Sequence, residues 1–361
     1  MFWKISKENH EAALQRISSY LLSVFEFAAK SEKNVFEKEE WLDFSPEDGA
    51  WFWKLYAKKA ENGARMRQAV NALFTLERAQ RERIYKAIAH DMRFEEDLSS
   101  PFVFQSTKLK EEEQKLLKDF FLYFYEVVLC ESHFRLGDPE EPFGRKELAE
   151  AYFEGENQAI GQVCPVCLQS MTSARDEAEV EHYFGKAFVP CLALHPGNLY
   201  FSCPTCNKIY KGEKKPLYRQ HPDIRKSFLP YVDTVKDKAL LEFVHDKERD
   251  KVQLKPLDPE ETYIEEKLEV FEDLFRLGER WPKSLPRYYQ TLRAKFKALS
   301  EDALDRPEEM QKEMLRYLKM EQADLENRPE NYLEAQYMNW VCGSQWKAFY
   351  AEMTQKERGR G

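Results

Sequence analysis

Two Cys-Pro-x-Cys pairs, Cys164-Pro165-Val166-Cys167 and Cys203-Pro204-Thr205-Cys206, constrain this chain more than any other feature. Each pair brings two thiols into one turn, and four thiolates are the usual complement of a closed, tetrahedral structural zinc site. Read this way, the metal staples the fold and leaves no open position for a substrate. The 35 residues between the pairs exceed the gap of a simple zinc ribbon, so an inserted strand, loop and strand clamped at its base is expected. The other arrangement is two knuckles that share no metal. Cys191, set among apolar neighbours, reads as a buried thiol.

Three scattered cysteines, Cys130, Cys191 and Cys342, make no disulfide framework, and in a reducing compartment such knuckles point to metal. No apolar run approaches a transmembrane helix, and the start lacks a secretory signal, so a cytoplasmic protein is expected. At 361 residues, two or three structural units are expected. A mean hydropathy of -0.70 with 33% charged residues fits many amphipathic helices, each hiding one stripe.

The flanks read as helical. Leu14, Ile17, Leu21, Val24 and Phe25 keep a 3.6-residue period over 9–30. Ser45-Pro46 looks like a cap and first helical position, starting a helix through Trp51, Trp53 and Tyr56. One long helix is expected over 64–90 and another over 111–134, followed by a turn at 137–142 and a short helix at 146–153. After an extended linker at 228–233 come two strand-like runs, 240–245 and 251–256. Helices are then expected at about 260–277, 285–300, 307–326 and 331–354, with 356–361 frayed. The division is 1–157, an N-terminal helical region; 158–232, the central unit with its knuckles; and 233–361, a mainly helical C-terminal region.

Between the knuckles lie Glu181-His182, then His195-Pro196-Gly197-Asn198-Leu199, with Cys206-Asn207 at the end. This combination resembles the HNH endonucleases, whose ββα-metal unit often sits inside a four-cysteine zinc clamp. The resemblance covers about 158–232. It implies a mainly α protein with a small central α+β unit of ββα-metal fold. Glu181-His182 matches the family's acid and histidine pair, Asn198 its middle Asn, and Asn207 the last ligand, where many members have His. Glu181 stands where Asp is commoner.

Phosphodiester cleavage needs a base for water and stabilisation of the transition-state charge. His182, near its ordinary pKa, is the expected base. Glu181 and the Asn207 side-chain oxygen are expected to hold one Mg²⁺ or Mn²⁺, which prefers oxygen donors. Asn198 would brace the loop and orient His182. The family's lysine after the last ligand is Lys208 or Lys211, with Lys211 preferred; His195 has a loop-bracing or substrate-contact role.

A net charge of -9 argues against a uniformly basic coat, yet the stretch after the second knuckle is locally basic. Lys208, Lys211, Lys214 and Lys215, with His195, are the expected nucleic-acid contacts. DNA is favoured by the family alone. The resemblance extends more weakly to HNH proteins of bacterial antiphage systems, including the nuclease subunit of Septu-type defence, and so to an ATPase partner. An RNA-cleaving enzyme and a non-catalytic zinc-stapled binding or adaptor module are the other two readings.

Overall fold

A computed structural model describes residues 1–58, 61–96, 98–137, 141–158, 160–171, 179–245, 250–299, 306–323, 325 and 327–358. The protein is mainly helical, with three two-stranded antiparallel sheets among the described residues. Helices α1 (Glu8–Lys30), α2 (Lys38–Phe44), α3 (Gly49–Ala57), α4 (Glu61–Thr75), α5 (Arg78–Asp91) and α6 (Glu111–Tyr123) precede a hairpin of β1 (Phe134–Leu136) and β2 (Glu141–Phe143), then α7 (Arg145–Tyr152). Among the described residues, no helix is long and apolar enough to cross a membrane.

The expected stripe on α1 is buried, with Leu14, Ile17, Leu21, Val24 and Phe25 all in the core. Phe25 stacks on Phe121 at 5.5 Å and meets Phe120 edge-on at 4.9 Å, the geometries aromatic quadrupoles favour.

Three helix boundaries differ from expectation for local reasons. The single helix over 64–90 is two, because Glu77 turns extended and its N–H donates to Gln80 Oε1 at 3.2 Å, starting α5 afresh. The helix after Ser45-Pro46 begins only at Gly49; the Asp48 carboxylate accepts the Gly137 N–H at 2.7 Å instead of capping it. The helix expected to reach 134 passes from α6 into a π-helical turn, Phe124–Leu129, and Phe134 already belongs to β1. The expected turn at 137–142 has 138–140 outside the described residues.

The central unit holds β3 (Glu179–His182) antiparallel to β4 (Leu199–Ser202), with Glu181 opposite Tyr200 and His182 opposite Leu199. The helical turns Thr205–Lys211 follow. Next, β5 (Ala239–His245) and β6 (Asp250–Pro256) pair as expected. The helices Ile264–Phe275, Leu285–Leu299, Pro307–Gln322, Tyr332–Gly343 and Trp346–Arg358 complete the fold. The last two replace the one helix expected over 331–354. The frayed end expected from 356 is helical through Arg358, and 359–361 lie outside the described residues.

The chain's first residues tie these parts together. Trp3 N–H donates to Pro165 O at 2.9 Å, inside the first knuckle. Val235 and Lys236 donate to Met1 O and Phe2 O at 2.8 and 3.0 Å. The Phe2 ring meets Trp281 edge-on at 5.0 Å.

His10 on α1 is buried beside the rings of Tyr152 and Tyr231, and neither ring nitrogen has a partner among the described residues. Burial lowers its pKa to about 4. Between its ordinary value and about 4 the unfolded chain binds a proton that the fold does not. Stability therefore falls as the pH drops through that window, by roughly 3 kcal/mol for the whole interval. His10→Phe is expected to raise the urea midpoint at pH 5 relative to wild type, and to do so less at pH 8. A gain independent of pH would show that His10 titrates in the fold as it does in the unfolded chain.

Candidate functional site

The first knuckle sits at the tip of a small hairpin. Val163 bridges Ser170, Cys164 N–H donates to Gln169 O at 3.0 Å, and Leu168 takes a left-handed φ of 60° to close the turn. The second knuckle leads from β4 into the Thr205–Lys211 turns. Between them, Cys164, Cys167, Cys203 and Cys206 are all buried, and their sulfurs lie within 4.8 Å of one another. Tetrahedral Zn–S bonds of ~2.3 Å place sulfurs ~3.8 Å apart. The Cys167 and Cys203 sulfurs stand at 3.8 Å. The Cys203 and Cys206 backbone N–H groups donate to the sulfurs of Cys164 and Cys203, both at 3.4 Å, as amides do to charged thiolates. This donor set fits a structural zinc ion.

Arg280 and Trp281, which the sequence did not single out, reach the same cluster. Arg280 Nη1 stands 3.2 Å from Cys206 Sγ, and Trp281 Nε1 donates to Cys167 O at 3.2 Å.

Strand alternation decides the rest of the site. On β3, Glu179 and Glu181 share the face toward the Thr205–Lys211 turns. Asn207 Nδ2 donates to Glu179 Oε2 at 3.0 Å, and Lys208 pairs with Glu179 Oε1 at 2.5 Å. Glu181 is bound by the ammonium of Lys211, a side chain only 1% exposed. Burial pushes the Glu181 carboxyl up, against the pull of Lys211.

His182 belongs to the opposite face. Its Nε2 lies 3.0 Å from Ala193 O. Since a carbonyl only accepts, Nε2 carries the proton and Nδ1 holds the lone pair of the neutral ring. Tyr125, from the π-helical turn after α6, packs edge-on against the imidazole at 4.5 Å. Lys186 lies over the Tyr125 ring at 4.9 Å and pairs with Glu126 at 2.9 Å. The sequence reading missed Tyr125, Glu126 and Glu179. Lys186 follows His182 by four positions, and the Glu179–Glu181 spacing was the signal for a shared face.

Two expectations are corrected, and of the two roles given to His195 the geometry fits the loop brace. His182 is not near its ordinary pKa, because burial lowers it to about 3. Lys211 does not face solvent, being buried against Glu181. His195 is buried as well, its Nδ1 accepting the Gly197 N–H at 3.1 Å and its ring 5.1 Å from Phe94, and burial lowers its pKa to about 3. Its geometry is that of a loop brace.

Asn198 is fully buried at the centre of this loop. Its Oδ1 accepts Phe184 N–H at 2.7 Å, and its Nδ2 donates to Phe184 O and Leu192 O at 3.1 and 2.9 Å. It thereby fixes the segment that carries Ala193, the partner of His182.

Of the remaining basic residues, Lys214 donates to Asp273 O at 2.5 Å, and Lys215, exposed, lies over Phe188 at 4.2 Å. Arg225 and Lys226 pair with Asp223 and Glu266.

A divalent ion at Glu181 and Asn207 does not fit this arrangement. The Glu181 carboxylate already carries an ammonium, and the Asn207 amide nitrogen is turned to Glu179. A second cation of charge two about 4 Å from a buried ammonium meets a repulsion of about 8 kcal/mol at an effective dielectric of 20. Among the described residues, the four cysteines are the one group of three or more His, Cys, Asp or Glu side chains close enough to share an ion.

Comparison with protein-family models, with curated proteins and with solved structures finds no match.

Cys203→Ser is expected to lose the metal and unfold the central unit, since structural zinc contributes roughly 10 kcal/mol or more to folding. Elemental analysis of the folded wild type that finds no zinc removes this assignment. For the buried ion pair, Lys211→Met is expected to cost roughly 3–5 kcal/mol by stranding Glu181, whereas the double variant Glu181→Gln/Lys211→Met stays within about 2 kcal/mol of wild type. Equal losses in chemical denaturation would show that Lys211 contributes packing and not charge.

Proposed function

We propose that this protein is a phosphodiester hydrolase of the HNH type, an endonuclease acting on DNA, in which His182 is the base. The observation that carries the reading is the set built on β3, β4 and the following helical turns: a histidine on β3 whose tautomer is fixed by Ala193 O, a carbonyl of the loop that Asn198 braces, in a unit that also holds a buried four-cysteine cluster.

In this reading His182 Nδ1 takes a proton from water and the hydroxide attacks phosphorus. The phosphorus–oxygen bond to the leaving strand breaks, and that oxygen is protonated from solvent. An imidazole held near pKa 3 is a weak base until charge arrives. An incoming phosphate places negative charge beside it and raises its proton affinity, the direction the step requires. Zinc, held by Cys164, Cys167, Cys203 and Cys206, supplies structure and no chemistry. No step here runs through Mg²⁺ or Mn²⁺, because Glu181 and Asn207 do not offer such an ion a fitting set of oxygens.

His182 is 5% exposed with Tyr125 packed against its ring, so a phosphate reaches it only after a rearrangement there. That requirement suits a nuclease held closed until a signal or partner opens it. The DNA preference, the antiphage role and the ATPase partner rest on the family resemblance. The burial of His182 and the Glu181–Lys211 pair favour a second reading, a zinc-stapled binding or adaptor module without catalysis.

The two separate on purified protein offered supercoiled DNA, single-stranded DNA and RNA, each with Mg²⁺, with Mn²⁺ and with chelator. Cleavage of DNA by wild type, reduced at least a hundredfold in His182→Ala, is the expected result. Equal cleavage by the two proteins overturns His182 as the base, and no cleavage by either with the partner supplied leaves the adaptor reading.

A further inference from the structure

We infer that the Lys211 ammonium fills the cation position of this site from within the chain, so that the resting protein takes no divalent ion at Glu181 and Asn207. The three groups are arranged by elementary geometry. Glu181 points from β3 toward the Thr205–Lys211 turns, where Asn207 and Lys211 lie four positions apart on the same helical stretch. Four positions is the spacing that puts two side chains on one face. Both therefore approach the acidic face of β3, Asn207 at Glu179 and Lys211 at Glu181.

The burial makes the assignment more than a surface ion pair. Lys211 is 1% exposed and Glu181 8%. A carboxylate in that position needs one positive partner, and a lysine stem long enough to reach from the last turn provides it permanently. The ammonium is a hard, compact charge with three donors. It neutralises Glu181 as a metal ion would, but it adds one charge and not two, and it leaves Glu179 with Asn207 and Lys208 for partners.

This inference deepens the hydrolase reading, and its bearing on catalysis rests on that reading: Lys211 is then a positioning residue that fixes the charge beside His182 without touching substrate. The occupation of the cation position does not depend on it. The two are therefore tested by different measurements.

Mn²⁺ binding to the zinc-loaded full chain is followed by electron paramagnetic resonance for wild type, Glu181→Gln and Lys211→Ala. Wild type and Glu181→Gln are expected to show the same weak binding, because Glu181 is not available in either. Lys211→Ala, with Glu181 freed, is expected to bind Mn²⁺ at least tenfold more tightly than wild type.

Wild-type binding that weakens tenfold or more in Glu181→Gln overturns the inference, since Lys211 would then yield its place to the ion. That comparison decides the matter even where Lys211→Ala fails to fold. Nuclease activity enters neither arm, so a protein that cuts nothing still answers the question of the ion. If wild type does cleave, the expected companion result is cleavage that persists in chelator.

Discussion

The cluster of four cysteines is the point on which this molecule turns, because three distant parts of the chain are fastened to its two knuckles. The N-terminal residues reach it through Trp3 and Pro165, and the C-terminal region through Trp281 on the first knuckle and Arg280 on the second. The sheet that carries Glu181 and His182 emerges between those knuckles. Four thiolates around one zinc carry a net charge of about -2, and Arg280 is the cation set against it. The cysteine cluster thus joins these regions as well as a small sheet. A chain with 33% charged residues and many modest helices gains a rigid centre there.

From that centre the site follows by alternation along a four-residue strand. Odd positions, Glu179 and Glu181, turn to the basic helical stretch; His182 turns to Tyr125 and the Asn198 loop. The two chemical functions that the motif puts side by side in sequence therefore stand on opposite faces. One face is a settled electrostatic layer of carboxylates, an amide and two lysines. The other is a neutral imidazole in a largely apolar enclosure. Charge on the first face is felt on the second through low-dielectric protein, without contact.

Much of this was legible in the sequence. The cysteine spacing identified the clamp, the apolar period identified α1, and two short apolar runs identified β5 and β6, because these signals are local and repeat. The misread elements share a different cause. Glu77 ended a helix by making its own cap, and Asp48 abandoned a cap for Gly137, 89 positions away. Lys211 read as a phosphate contact because sequence shows charge and not burial. Tyr125 and Arg280 were invisible, since nothing in the chain's order places a residue from another region beside His182 or Cys206.

The π-helical turn at Phe124–Leu129 carries a consequence for how this chain tolerates change. A π turn holds one residue more than an α turn, and here that extra residue sets the rotation of Tyr125 toward His182 and of Glu126 toward Lys186. Deleting Phe124 would turn Tyr125 by about 100° about the helix axis, carrying it off the imidazole. The irregularity thus couples chain length to side-chain register between the helical flank and the central unit.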